Sequence, residues 1–282
     1  MNKKIFFIVF SFFLATKCWA QTIDFFGFGQ VKYESQFTVP KNRIGVFFVQ
    51  NKTKSTLYVD FDENGQPNLG FVSMECYFNV KFPRLIIGRT LDPVTYQFPG
   101  PHQIPTINFP SSLFNKPYGV GIFFQETHKP FWLMIGLTNG NGKFQDDNQS
   151  LDFTSRIAYD LPLGFKIGGV YRQGNQPFGN RKIFGGDLTF QKSIFWLNSG
   201  YNVYQYNIKK TGSWLWGTVD LTKHIQLVGL CESITISSQA QNTWTAGINI
   251  LPDENLIIKF NILKNIDGKF DRAILFQQKY NL

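Results

Sequence analysis

Apolar and polar side chains alternate with a period of two along much of this chain, in blocks of roughly eight to twelve residues, and this limits the fold more than any other feature. In 151–160, Leu151, Phe153, Ile157 and Tyr159 share one face, with Asp152, Thr154, Arg156 and Asp160 opposite. Phe165, Ile167, Gly169 and Tyr171 stand against Lys166 and Arg172. Leu256, Ile258, Phe260 and Ile262 stand against Lys259 and Asn261, and Phe131, Leu133, Ile135 and Leu137 form another apolar face. Successive side chains of a strand point to opposite faces, so each block reads as a strand with one apolar and one polar side. Charges that alternate with bulky apolar groups are costly in a dry core. They are stable in a water-filled lumen, which favours a membrane β-barrel over a soluble sandwich or lipocalin-like barrel.

Sixteen strands follow, at 24–35, 43–50, 55–62, 70–77, 83–90, 118–126, 130–138, 151–160, 164–173, 182–191, 194–204, 213–221, 224–233, 241–250, 255–264 and 271–282. Such lengths suit tilted strands crossing a bilayer. Connections after the even-numbered strands are short, at 51–54, 78–82, 127–129, 161–163, 192, 222–223 and 251–254. Those after the odd-numbered strands are expected to be longer: 36–42, 63–69, 91–117, 139–150, 174–181, 205–212, 234–240 and 265–270. Short turns at one end and long loops at the other are the pattern of an outer-membrane barrel. The expected fold is therefore all-β: a transmembrane antiparallel β-barrel of about sixteen strands, with short periplasmic turns and long external loops. Composition agrees. Charged residues are 17 % of the chain, aromatic residues 17 %, and the mean hydropathy is −0.15. A helical membrane protein would be far more apolar, and no run of 18 apolar residues follows residue 21. Tyr159, Tyr171 and Tyr204, near strand ends, are expected in interfacial aromatic girdles.

The third long connection, 91–117, carries prolines at 93, 99, 101, 105, 110 and 117. Each removes a backbone donor and fixes φ, so this segment is neither a helix nor a central strand. Its apolar groups (Phe98, Ile104, Ile107, Phe109, Leu113, Phe114) need cover, so the loop is expected to fold into the barrel and pack on its wall. Phe98, His102, Phe109, Phe114 and Lys116 are its candidate constriction residues.

Lys3 and Lys4, the apolar run 5–14 and the sequence Cys18-Trp19-Ala20 read as a secretory signal over 1–20, cleaved before Gln21. Residues 21–282 then form the barrel domain. Loss of Lys3, Lys4 and Lys17 takes the net charge from +9 to +6, a modest excess compatible with a lumen that favours anions. Cys76 and Cys231 show neither metal-ligand spacing nor a disulfide framework and read as small wall residues. His102, His128 and His224 have no nucleophile motif beside them, and Asp146-Asp147 reads as a solvated turn, so neither catalysis nor a cofactor is expected. The basic excess lies over the whole chain without a patch, which argues against nucleic acid as a partner. Alternation assigns the lumen-facing charges as Lys32, Arg43, Asp60, Glu75, Arg89, Asp152, Arg156, Lys166, Arg172, Asp187, Asp220, Lys259 and Lys279. Rings of charge of this kind set ion preference in a pore.

In the last strand, Ile274, Phe276, Tyr280 and Leu282 share a face, which resembles the terminal strand that the barrel-assembly machinery recognises in bacterial outer-membrane proteins. Three earlier stretches resemble the phosphate-selective porin O and P family. FGFGQVKYES (26–35) looks like its first strand, and 43–49 with 56–61 like its next hairpin. The segment 82–89, a long loop and 118–122 look like its fifth strand, constriction loop and sixth strand. The resemblance implies a sixteen-stranded, usually trimeric porin of the Gram-negative outer membrane, passing small hydrophilic solutes or anions such as phosphate. Outer-membrane lipid and lipopolysaccharide would surround it. The alternative from the residues alone is a closed barrel serving as a surface adhesin or anchor, its lumen filled by 91–117.

Overall fold

The computed structural model describes residues 22–33, 37–38, 42–61, 66–77, 83–95, 118–139, 150–176, 179–264 and 268–281. The strands of the first half are β1 (Thr22–Tyr33), β2 (Phe37–Thr38), β3 (Asn42–Gln50), β4 (Thr53–Phe61), β5 (Pro67–Tyr77), β6 (Arg84–Leu91), β7 (Tyr118–His128) and β8 (Phe131–Thr138). Those of the second half are β9 (Asp152–Asp160), β10 (Phe165–Gln176), β11 (Gly179–Lys192), β12 (Phe195–Gln205), β13 (Lys209–Thr222), β14 (Ile225–Ile236), β15 (Gln239–Ile250), β16 (Leu256–Lys264) and β17 (Phe270–Asn281). β2 is a two-residue piece paired with the end of β1, so the wall has sixteen long strands. Each pairs antiparallel with its chain neighbours, and β1 pairs with both β3 and β17, which turns the ladder back on itself. Among the described residues, neither β1 nor β17 is left as a free edge strand.

The alternation sorts the two faces. Outward-facing Ile122, Phe124, Leu137, Phe153, Ile157, Ile167, Leu215 and Ile262 are exposed on the convex surface. Their strand neighbours Phe123, Thr138, Asp152, Arg156, Trp214, Trp216 and Asn261 are buried toward the inside. Aromatic pairs flank the apolar belt: Phe131 with Tyr159 (4.8 Å between centroids) and Phe165 with Phe190 (4.7 Å) near one end, and Trp244 with Phe270 (5.6 Å) near the other. Tyr204 corrects the girdle expected above. It lies on the inner face, where it packs against the cluster of Val94, Val170 and Ile183. Cys76 and Cys231 are free and lie on the outer face, paired in register with Leu85 and Leu215.

At the turn end, local chemistry fixes tight connections. Asn51 (φ 46) and Ser193 (φ 52) take left-handed backbone. The Thr222 hydroxyl accepts from the backbone N–H of His224 (3.1 Å) and Ile225 (3.0 Å), and the Asp253 carboxylate from those of Asn255 (2.7 Å) and Leu256 (2.9 Å). The loop end differs from the expectation of long connections throughout. β14 runs to Ile236 and turns through Ser237 (φ 48) and Ser238 (φ 70) straight into β15 at Gln239. β10 likewise reaches Gln176, β11 begins at Gly179, and β13 begins at Lys209. Polar, glycine-bearing segments that resembled loops are strand ends. The barrel therefore has a tall wall, β10 to β15, whose strands run 11–14 residues, and a lower wall, β3 to β9. The longest connections, after β6 and after β8, join strands of the lower wall.

Candidate functional site: the inner wall of the barrel

β10 carries the centre of the site. Its inward positions alternate Lys166, Gly168, Val170, Arg172 and Gly174. The two glycines bracket Val170 and Arg172, and a Cβ at Gly168 would meet the Arg156 guanidinium and the Asp187 carboxylate. Without it, Arg156 on β9 reaches over β10 to Asp187 on β11 in a bidentate pair, Nη1 to Oδ2 at 2.7 Å and Nη2 to Oδ1 at 2.9 Å. A Cβ at Gly174 would fall on the Asp152 carboxylate. Its absence lets Asp152 on β9 reach across to Arg181 on β11 while also accepting from Arg172 Nε at 2.9 Å. Glycine here is a saddle that lets ion pairs cross a strand.

Arg172 also ties down the 91–117 connection. Its Nη1 donates to Asp92 Oδ2 at 2.8 Å, and Thr154 Oγ1 donates to Asp92 Oδ1 at 3.1 Å. The Val94 N–H donates to the same Oδ1 at 3.0 Å, closing a turn at Pro93–Thr95. Val94 is fully buried against Val170 and Ile183. Asp92 directly follows β6, yet its partners lie on β9 and β10, so the chain enters the barrel at once and crosses the inner wall. The inward course expected for this loop is thus seen for its opening residues, 92–95. Phe98, His102, Phe109, Phe114 and Lys116 lie outside the described residues, as do residues 1–21 and Asp146-Asp147.

Most expected lumen charges do face inward, and the structure pairs them. Arg43 binds Asp60 through Nε (2.6 Å) and Nη2 (3.0 Å), with its guanidinium 3.6 Å from the Tyr58 ring centre. Glu75 accepts from Tyr77 and from Arg84, each at 2.6 Å, and Arg84 continues to Gln125. Lys166 meets Asp160 at 3.2 Å near the turn end, both side chains more than 40 % exposed. Asp220 accepts from Gln226 at 2.7 Å, and Gln226 in turn accepts from Asn249. Lys259 is buried on β16, level with Leu275 on β17, which itself pairs with Lys32 on β1; Lys279 faces inward nearer the turn end. His128 and His224 sit at turn-end connections.

Arg89 corrects the assignment. It pairs in register with Val72 and Val120, while its neighbour Thr90 is the buried, inward residue beside Gly119. Arg89 thus lies on the outer face. Strands β12 and β13, two and three along from β10 in the same wall, carry groups that no motif announced. Trp196 and Trp216 pack edge to face at 5.3 Å, and Trp214 Nε1 donates to Asn198 Oδ1 at 2.6 Å. A third apolar patch, Ile86, Phe123 and Met134, lies inside β6 to β8. Only alternation could have found these side chains, and alternation does not tell a lumenal tryptophan from an interfacial one.

No family model matches the chain, and no curated protein does. Solved structures match its fold. A loop-deletion form of OmpT, an outer membrane protein of Vibrio cholerae, aligns with a TM-score of 0.74 at 11 % identity, over 92 % of this chain and 99 % of that one. The anion-selective porin from Comamonas acidovorans gives 0.70 at 11 % identity, over 93 % and 99 %. The outer membrane channel DcaP of Acinetobacter baumannii gives 0.68 at 12 % identity, over 94 % and 98 %. The chain shares their barrel fold.

Proposed function

We propose that this protein is an outer-membrane porin, a water-filled barrel that passes small hydrophilic solutes by diffusion. The observation that carries the reading is the pairing of a closed barrel, apolar outside and charged inside, with a long connection bound to the inner wall through Asp92, Arg172 and Thr154. The similarity in fold to outer-membrane channels supports it. In this reading residues 1–20 direct export and are removed, the loop end faces outward, and the last strand engages the assembly machinery. The barrels assemble as trimers. Phosphate and other anions are among the solutes, with at most a slight preference from the modest excess of positive charge, in keeping with the resemblance to the phosphate-selective porins.

Uptake by liposomes tests it. Vesicles carrying the folded protein should swell in iso-osmotic solutions of small sugars, amino acids and phosphate, more slowly as solute size increases. Vesicles that stay as tight as protein-free controls for every solute would overturn the reading.

A closed barrel, acting as an adhesin or anchor, is the second reading. It is favoured by the complete burial of inward groups as large as Trp216, Phe123 and Met134. Deleting about half of 96–116 separates the two: a porin gains conductance modestly, whereas a plugged barrel passes from silent to conducting.

A further inference from the structure

The inner face of the tall wall carries, at its loop-end mouth, two opposite charges that the ion pairs described above do not include. Lys210 stands at the top of β13 beside Tyr204, its Nζ 5.8 Å from the ring centre. Glu232 on β14 lies level with Trp214, and its Oε1 accepts from Thr243 Oγ1 on β15 at 3.0 Å. Between these two levels Ile234 faces Gly212, so an apolar side chain separates the charges. Lys210, Ile234, Glu232 and Thr243 are half-buried, whereas Leu230 and Trp216, one step deeper, are buried. The inner wall here is therefore open to solute from Lys210 down to Glu232 and packed beneath. Trp214 follows Lys210 by four residues on β13, which sets the two levels about 13 Å apart along the wall.

We propose that this stretch binds a short zwitterionic peptide of about three residues, with its carboxylate on Lys210, its ammonium on Glu232 and an apolar middle side chain on Ile234. Span, sign and polarity select the ligand. An extended chain covers about 3.3–3.6 Å per residue, so three residues reach about 10 Å, and a charge-assisted hydrogen bond at each end makes up the difference. A free amino acid is too short to reach both charges. Inorganic phosphate meets only the lysine, and a neutral sugar satisfies neither charge. The inference rests on the porin reading of the barrel, in which the loop end is the entrance, and names one class of solute for it.

Saturation-transfer NMR of the folded protein in detergent tests the site, with the tripeptide Ala-Leu-Ala as probe. The free peptide should give a saturable signal that neither phosphate nor maltotriose at equal concentration removes. The N-acetyl form, which lacks the ammonium, and the C-amide form, which lacks the carboxylate, should each bind the native protein about tenfold more weakly. Glu232→Gln should bind free and N-acetyl peptide equally weakly, and Lys210→Gln should do the same for free and C-amide peptide, which assigns each end to its residue. Heat-modifiable gel mobility confirms that each variant is folded. The site would be overturned by the absence of a saturable signal, by equal binding of free and capped peptides to the native protein, by displacement with phosphate or maltotriose, or by variants that bind as the native protein does. Conductance of the same samples is read separately. Steps without peptide binding keep the channel reading and remove the site, whereas peptide binding by a barrel that is silent in bilayers upholds the site and removes the channel reading.

Discussion

Single residues on β10 set what the inner wall can hold. Gly174 has no side chain because the Asp152 carboxylate occupies that space on its way to Arg181. Gly174→Leu should displace Asp152 and leave buried Arg172 with fewer acceptors, a class of change that costs about 3–5 kcal/mol. Its urea unfolding midpoint in lipid vesicles should fall accordingly. Gly169→Ala, on the outer face with nothing nearer than 3.9 Å to the added carbon, should move it by no more than about 0.5 kcal/mol. Charge at the mouth follows the same logic. Lys166→Glu, exposed at the turn end, should shift the reversal potential in a salt gradient toward cations. Arg89→Gln should leave it unchanged, since Arg89 is on the outer face; a shift equal to that of Lys166→Glu would contradict the register. Arg89 was misassigned from the sequence for a physical reason. β6 reads Leu85-Ile86-Ile87-Gly88 at its centre, a run without alternation, so only pairing with β5 and β7 fixes which side each residue takes.

Whole strands and connections were mostly legible, because alternation is local and each strand carries its own signal. All sixteen long strands lie where the pattern put them, and the tight turn-end connections follow from Asn, Pro, Asp and Thr at the turns. The loop end of the tall wall was not legible. Its strand tips are rich in Gly, Asn, Ser and Thr, the composition of a loop, while their stability comes from pairing with the next strand. The turn at Ser237-Ser238 shows the cost. Both residues hold positive φ, a conformation that costs a non-glycine residue roughly 1–2 kcal/mol. Replacing the pair with Asn-Gly, which suits a two-residue hairpin, should raise stability by about 1 kcal/mol, seen as a higher urea midpoint at unchanged slope. The anchor at Asp92 was equally hidden, since its partner Arg172 lies 80 residues away and nothing local marks the pair. Asp92→Ala should free the start of the loop and raise single-channel current noise, whereas Asp253→Ala, which loses a turn at the opposite end, should not.

As a molecule, the barrel places its parts asymmetrically. A tall wall of long strands, β10 to β15, faces a lower wall whose β6 sends its connection inward, and that connection is anchored where the two walls meet, on β9 and β10. Among the described residues, much of the inner charge is neutralised pair by pair: Arg43 with Asp60, Arg84 with Glu75, Arg156 with Asp187, and Arg172 and Arg181 with Asp92 and Asp152. Ion preference should accordingly be weak, set by residues outside these pairs, because an opposite charge at contact distance cancels most of the field a passing ion would feel. Alternation assigned Arg43, Asp60, Glu75, Asp152, Arg156, Arg172 and Asp187 to the lumen but missed Arg84, Arg181 and Asp92, and only the folded ring shows which of them meet. Single-channel recording in planar bilayers tests the central claim most directly. The purified, folded protein should insert in discrete conductance steps that scale with salt concentration and differ little between cations and anions. A folded barrel that inserts into the bilayer and gives no steps would contradict it.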